Sequence, residues 1–172
     1  DSDHKLLSLI QSIHQVDGIT RIRLGSLEPR IITEEFVQTL SGLWKVCPHF
    51  HLSLQSGCQE TLERMNRRYT ADEYREKCQI LRKYYENPAL TTDVIVGFPQ
   101  ESLEEFRESY EFVKEIQFYE THIFKYSRRK GTKADKMEGQ IPEQEKTRRS
   151  EQMIALGQER AFQYENSFLG GK

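Results

Sequence analysis

His49-Phe50-His51-Leu52-Ser53-Leu54-Gln55-Ser56-Gly57-Cys58, taken with Thr91-Thr92-Asp93-Val94-Ile95-Val96-Gly97-Phe98-Pro99, decides the fold. Both runs are strand-like, both break at glycine, and each is followed by helical sequence. Because side chains alternate across a strand, Leu52 and Leu54 take one face while His51, Ser53 and Gln55 take the other. Val94 and Val96 likewise oppose Asp93 and Ile95. A face carrying His, Ser, Gln and Asp suits a polar ligand better than packed hydrocarbon, and points to a cofactor site.

Working outward, a helix is expected over about Asp3 to Gln15, with Ser2 or Asp3 as cap and Leu6, Ile10 and Ile13 on one face. Asp17-Gly18 ends it, Ile19 to Leu24 alternates as a first strand, and Gly25-Ser26-Leu27-Glu28-Pro29 reads as a turn. Thr33 caps a helix whose stripe is Phe36, Val37, Leu40, Leu43 and Trp44. After the His49–Leu54 strand comes a short helix, Gln59 to Asn66. Thr70-Ala71-Asp72-Glu73 and Ser102-Leu103-Glu104-Glu105 are capping boxes. The first opens a helix burying Tyr74, Cys78, Leu81 and Tyr85. The second opens one with Phe106, Tyr110 and Val113 inward. A fourth strand is expected from about Glu120 to Tyr126, with Ile123 opposing His122, Phe124 and Tyr126. Pro142 suits a first helical position, and a long last helix carries Met153, Gly157, Ala161, Tyr164 and Phe168. Gly170-Gly171-Lys172 reads as a frayed or truncated end.

Helices alternating with short apolar strands predict an α/β fold with a parallel sheet and right-handed crossovers. Four strands cannot close a barrel, which needs about eight in this architecture. The expectation is therefore an open sheet or a slice of something larger: a partial (β/α) barrel with helices on its outer face. A doubly wound sheet would want both faces apolar. Ligands of parallel sheets lie at the carboxyl ends of strands, here Gly25-Ser26-Leu27-Glu28, Gln55-Ser56-Gly57-Cys58, Gly97-Phe98-Pro99 and Tyr126-Ser127-Arg128.

The 172 residues fit one domain. With 25 basic and 27 acidic side chains the net charge is −2, so any nucleic-acid site must be local rather than global. No apolar run approaches a membrane span. Three unclustered cysteines, Cys47, Cys58 and Cys78, argue against a disulfide framework and for a reducing, cytoplasmic setting. They also supply no CxxC or CxxxCxxC motif. His49, His51 and His122 lack helical ligand spacing, and no metal site is expected from them.

Arg21-Ile22-Arg23-Leu24-Gly25-Ser26-Leu27-Glu28-Pro29, His51-Leu52-Ser53-Leu54-Gln55-Ser56-Gly57, Met65-Asn66-Arg67-Arg68-Tyr69-Thr70, Asp93 to Pro99 and Tyr126 to Thr132 resemble, in order, the radical S-adenosylmethionine methylthiotransferases. Cys58, Asn66 to Thr70 and His122 to Thr132 look most like the branch acting on threonylcarbamoyladenosine in tRNA. The isopentenyladenosine and ribosomal-protein branches are the near competitors. The resemblance implies a (β/α)6 partial barrel using S-adenosylmethionine and a [4Fe-4S] cluster held by a CxxxCxxC loop, with tRNA as partner. It implies removal of hydrogen from C2 of a modified adenosine beside the anticodon and installation of a methylthio group. An N-terminal domain with a second cluster and a C-terminal RNA-binding β-domain also belong to the family. This sequence carries no CxxxCxxC loop. The expectation is a single truncated radical SAM domain holding the last four barrel strands, catalytically inert alone and self-associating through an exposed sheet edge.

On that resemblance the expected cofactor-facing residues are Ser26, Glu28, Gln55, Ser56, Arg67, Asp93, Gly97, Phe98, Pro99, Tyr126 and Ser127. Gln55 and Ser56 would meet ribose and methionine, Glu28 an ammonium group, Arg67 a carboxylate, and Gly97-Phe98-Pro99 an adenine shelf. Each has a plainer reading: loop capping, turn shaping by Glu28-Pro29, a helix end at Arg67, or an ion pair of Asp93 with Arg21 or Arg23. Lys125, Arg128, Arg129, Lys130 and Lys133 form the densest basic cluster, read as RNA-contacting or as solvated charge. Cys58 reads as a partly buried thiol. Without the resemblance, a nucleotide- or RNA-binding module remains, as does a metal-independent barrel enzyme using Asp93, Glu28 and His51 as acid–base groups.

Overall fold

The computed structural model describes residues 2–169, with side chains from Lys5 onward. The Gly170-Gly171-Lys172 end and the cap expected of Ser2 or Asp3 lie outside the described residues and side chains. Four strands, β1 (Ser26–Leu27), β2 (His49–Leu52), β3 (Ala89–Val96) and β4 (Glu120–Lys125), pair in parallel in the order β1-β2-β3-β4. The register sets Ser26 opposite His51, His51 opposite Thr91, and Asp93 opposite His122. Six α-helices are described: α1 (Ser2–His14), α2 (Glu34–Ser41), α3 (Gln59–Arg64), α4 (Ala71–Tyr84), α5 (Leu103–Ile116) and α6 (Glu143–Asn166).

The sheet is two-sided as its alternation demands. Leu52, Leu54, Val94 and Val96 are buried with Tyr74, Phe106, Phe112 and Val113 of the helices, whereas His51, Ser53, Asp93 and Ile95 are only partly covered. Full burial of a Leu or Phe side chain contributes about 1.5–3 kcal/mol, so this layer drives the fold. Tyr74 anchors it: inside the apolar layer its hydroxyl donates to Leu52 O at 2.7 Å, so no polar atom of the ring is stranded. Both capping boxes form as expected, at Thr70/Glu73 and Ser102/Glu105.

Several expectations are corrected. Ile19 to Leu24 is not a strand of the ladder. Ile22 alone bridges Val46, donating to Lys45 O at 2.7 Å and accepting from Cys47 N at 2.9 Å. Pro48 offers no N–H, and the His49 N–H turns back on Cys47 O, so regular pairing resumes only at Ser26. The expected turn therefore contains β1. Helix α2 ends at Ser41, which leaves Trp44 off the stripe and 75% exposed. Its ring stands edge-on to His14, 5.6 Å between centroids. Helix α3 stops at Arg64 because Asn66 adopts φ +57. Pro142 caps α6 rather than entering it, and Phe168 lies beyond the helix, exposed.

Candidate functional site

At the carboxyl ends of β2, β3 and β4 the chain makes a cleft of about 480 Å³ lined by Gln55, Asp93, Ile95, Phe124, Tyr126 and Ser127, with Arg129 at its margin. Gln55 takes a left-handed φ of +71 and still bridges the strands: its N–H donates to Asp93 O and its carbonyl accepts from Ile95 N, each at 2.8 Å. Its side chain is thereby turned out of the ladder towards the cleft. Tyr126 continues β4 by donating to Val96 O at 2.9 Å, and its ring meets Phe98 edge-on at 5.2 Å. The Tyr126 hydroxyl is buried without a hydrogen-bond partner. A buried hydroxyl left unpaired costs about 1–3 kcal/mol, so this one has capacity for a further polar partner. The Asp93 carboxylate does not meet Arg21 or Arg23. It faces His51 Nε2 at 3.3 Å, while Arg23 meets His49 at 2.7 Å. Burial, and then the Arg23 guanidinium, hold the His49 imidazole below its ordinary pKa.

The expected Gly97-Phe98-Pro99 shelf beside the cleft is held by residues that the sequence did not single out, Glu101, Lys146 and Arg149. Gly97 has φ +72, and a Cβ there would overlap Lys146 Cγ, so glycine is required twice over. Glu101, buried, accepts from the Gly97 and Phe98 N–H groups at 2.7 and 3.1 Å. Arg149 of α6, equally buried, donates to the Glu101 carboxylate at 3.0 Å and to its carbonyl at 2.8 Å. Burial pushes the Glu101 carboxyl up, and Arg149 and the two amides pull against it. Lys146 donates to Tyr126 O at 3.0 Å. Helix α6 thus fixes the ends of β3 and β4 together. The signal was present as spacing: Lys146 and Arg149 continue the inward stripe of Met153, Leu156 and Gly157.

Ser26, Glu28 and Arg67 meet in a second cleft, of about 370 Å³, at the ends of β1 and β2 with Ser53, Arg68 and Tyr69. Glu28 heads a short 3-10 turn without a side-chain capping bond, so its carboxylate is not occupied in shaping the backbone. Tyr69 donates to Ser53 O and Leu54 O, pinning the end of β2. Ser56 lies outside both clefts, buried, with its hydroxyl accepting from Cys58 N. Gly97, Phe98 and Pro99 are buried behind Tyr126. On the rim, Lys125 pairs with Glu143 and Arg128 with Asp135. Arg129, Lys130 and Lys133 are exposed, and none of the ion pairs among the described residues includes them. A larger cavity of about 740 Å³ opens between α4 and α5 on the outer layer, where Arg75 is held by Glu115 and Asp72. Its lining includes Gly57, after the end of β2, but none of Gln55, Asp93, Tyr126 or Ser127.

The profile of the Radical SAM superfamily matches residues 2–113. The chain belongs to the radical SAM superfamily. It is 43% identical over 169 residues to the threonylcarbamoyladenosine tRNA methylthiotransferase MtaB of Bacillus subtilis, covering 96% of this chain and 37% of that protein. It is 36% identical over 162 residues to the tRNA-2-methylthio-N(6)-dimethylallyladenosine synthase of Caldicellulosiruptor saccharolyticus, covering 94% and 34%. The chain therefore spans about a third of the length of these relatives. In fold it is similar to coproporphyrinogen III oxidase (HemN) of Escherichia coli, a radical SAM enzyme, with a TM-score of 0.71 at 18% identity over 91% of this chain and 36% of that one. The partial-barrel reading of the sequence is thereby borne out.

Radical SAM methylthiotransferases use S-adenosylmethionine and [4Fe-4S] clusters, and the two groups fit this radical SAM chain unequally. The orphaned Tyr126 hydroxyl and the polar cleft suit the nucleoside half of S-adenosylmethionine. The cysteines do not suit a cluster: Cys58 and Cys78 are buried with thiols pushed up to about 12 by burial, and the ligand group that includes Cys58 is completed by Glu60 and Glu108 rather than by sulfur. Among the described residues no helix is long and apolar enough to cross a membrane.

Proposed function

We propose that this chain forms the adenosine-facing wall of the S-adenosylmethionine site in a tRNA methylthiotransferase acting on threonylcarbamoyladenosine. The observation that carries the reading is the β2–β4 cleft, in which Gln55, Asp93, Tyr126 and Ser127 converge beside a basic rim that includes Arg129. In this reading Tyr126 and Ser127 meet adenine, Gln55 and Asp93 the ribose, and Gly97-Phe98-Pro99 back the ring. Glu28 and Arg67, in the second cleft, hold the ammonium and carboxylate of the methionine end. When bound, S-adenosylmethionine supplies the methyl group and the hydrogen-abstracting chemistry. The residues of this chain bind it, orient it and exclude water from its adenine face. Arg129, Lys130 and Lys133 lie where tRNA phosphates would pass.

The greater similarity to the threonylcarbamoyladenosine enzyme, 43% against 36% identity, favours that substrate over the dimethylallyl one. The test is the full-length gene, deleted and restored in its own cell, with tRNA nucleosides analysed by mass spectrometry. Loss and return of the 2-methylthio derivative of threonylcarbamoyladenosine supports the proposal. Loss of the dimethylallyl derivative instead moves the chain to the other branch. The isolated chain is proposed to be inert, and reductive cleavage of S-adenosylmethionine by it would overturn that part.

A further inference from the structure

Three metal-ligating side chains converge on the open face of the sheet, each from a different strand. His51 of β2 lies in register with Thr91, and two residues on Asp93 of β3 lies in register with His122 of β4. Strand alternation therefore puts all three on one face. One ligand atom from each, two imidazole nitrogens and a carboxylate oxygen, lies within 4.8 Å of the other two. The imidazoles stack with centroids 5.8 Å apart and planes inclined by 28°.

We propose that His51, Asp93 and His122 bind one divalent transition-metal ion of the zinc, cobalt or nickel class. The His51 ring is set for it: Nδ1 lies 2.9 Å from Thr91 Oγ1 and Nε2 3.3 Å from Asp93 Oδ2. With an ion bound, Nδ1–H would donate to buried Thr91 and the Nε2 lone pair would turn to the cation that it shares with the Asp93 carboxylate; without one, the same Nε2 can donate to Asp93. Ligating histidines characteristically commit their second nitrogen to such an outer partner. Among the described residues His122 makes no hydrogen bond, although it stands over the pair, so its nitrogens are available. Two imidazoles with one carboxylate suit borderline divalent ions rather than magnesium or calcium, and leave an open coordination position. The Asp93 side chain is 28% exposed, which gives an ion a way in. Helical spacing rules see nothing here, because the triad is made by strand register. The inference does not depend on the methylthiotransferase reading.

The test is calorimetric titration of the chelator-treated chain with zinc chloride, repeated with cobalt chloride to read the ligand-field bands of the bound ion. Saturation at one equivalent is expected. Asp93→Asn and His122→Gln should each abolish or strongly weaken it, and Thr91→Val, which frees the His51 ring, should weaken it by about 10–100-fold. His122 is exposed, so its variant tests the site without risk to the core, and a circular-dichroism melt confirms folding. His49→Gln and Cys58→Ser should bind as the parent chain does. Failure to saturate at millimolar metal would overturn the proposal. So would unchanged binding in the Asp93 and His122 variants, or loss confined to Cys58→Ser.

Discussion

At Gly97 one residue decides whether β3 can hand over to its shelf. The positive φ and the pressure of Lys146 make any side chain costly there. Gly97→Ala should lower stability by about 1–3 kcal/mol, read as a fall in thermal midpoint. It should also expose Tyr126, whose carbonyl Lys146 holds. That Gln55, Asp93, Tyr126 and Ser127 would line one cleft was legible from alternation and from the strand ends, since the carboxyl ends of parallel strands lie side by side. Ser56 was read into the same site, but its hydroxyl closes the turn into α3. Helical spacing marked Arg149 as inward-facing but not its partner, and Glu101 carried no local signal, because a buried ion pair looks like two surface charges until tertiary contact is known. Asp93 was expected either at the ligand or beside an arginine, and only register showed His51 as its neighbour.

Helix α6 acts on the site from behind, and its Arg149–Glu101 pair is the element-level test. Arg149→Met leaves the Glu101 carboxylate buried without its counter-charge, and should destabilise the chain by about 3–5 kcal/mol. Chemical denaturation would measure it, and a loss below about 0.5 kcal/mol would mean that α6 is not fixed by this pair. Helices α3 and α5 are joined by Arg64 and Glu105, and Glu105 also closes the capping box of α5. Hydrogen bonding from Arg64 holds the Glu105 carboxyl below the usual carboxylate range. Its folded value lies below its unfolded one, so the stabilisation is complete above the unfolded value and is lost as pH falls through the folded one. Glu105→Gln keeps the capping geometry and removes the charge, so urea midpoints should fall less steeply from about pH 6 to about pH 3 than those of the parent chain. Helices and capping boxes were legible because capping and periodicity are local. The edge was not: whether Ile19 to Leu24 pairs depends on Pro48, some 25 residues further along the sequence in a different segment.

For the whole molecule, a net charge of −2 masks a localised basic rim. Changing Arg129, Lys130 and Lys133 together to glutamate should weaken tRNA binding and flatten its salt dependence, measured by filter binding of the full-length protein over a range of potassium chloride. The same changes at Lys125 and Arg128 should matter less, because each already spends its charge inside the chain. An unchanged salt slope in the triple variant would remove the rim from the RNA path. Trp44 offers a different kind of access. It is the chain's single tryptophan, set before the start of β2 against His14, at the opposite end of the sheet from both clefts. Its fluorescence is thus an optical gauge of whether α1 is seated, and it stays dark to events at the clefts. Any emission change on adding a nucleoside would announce that the two ends of the sheet communicate.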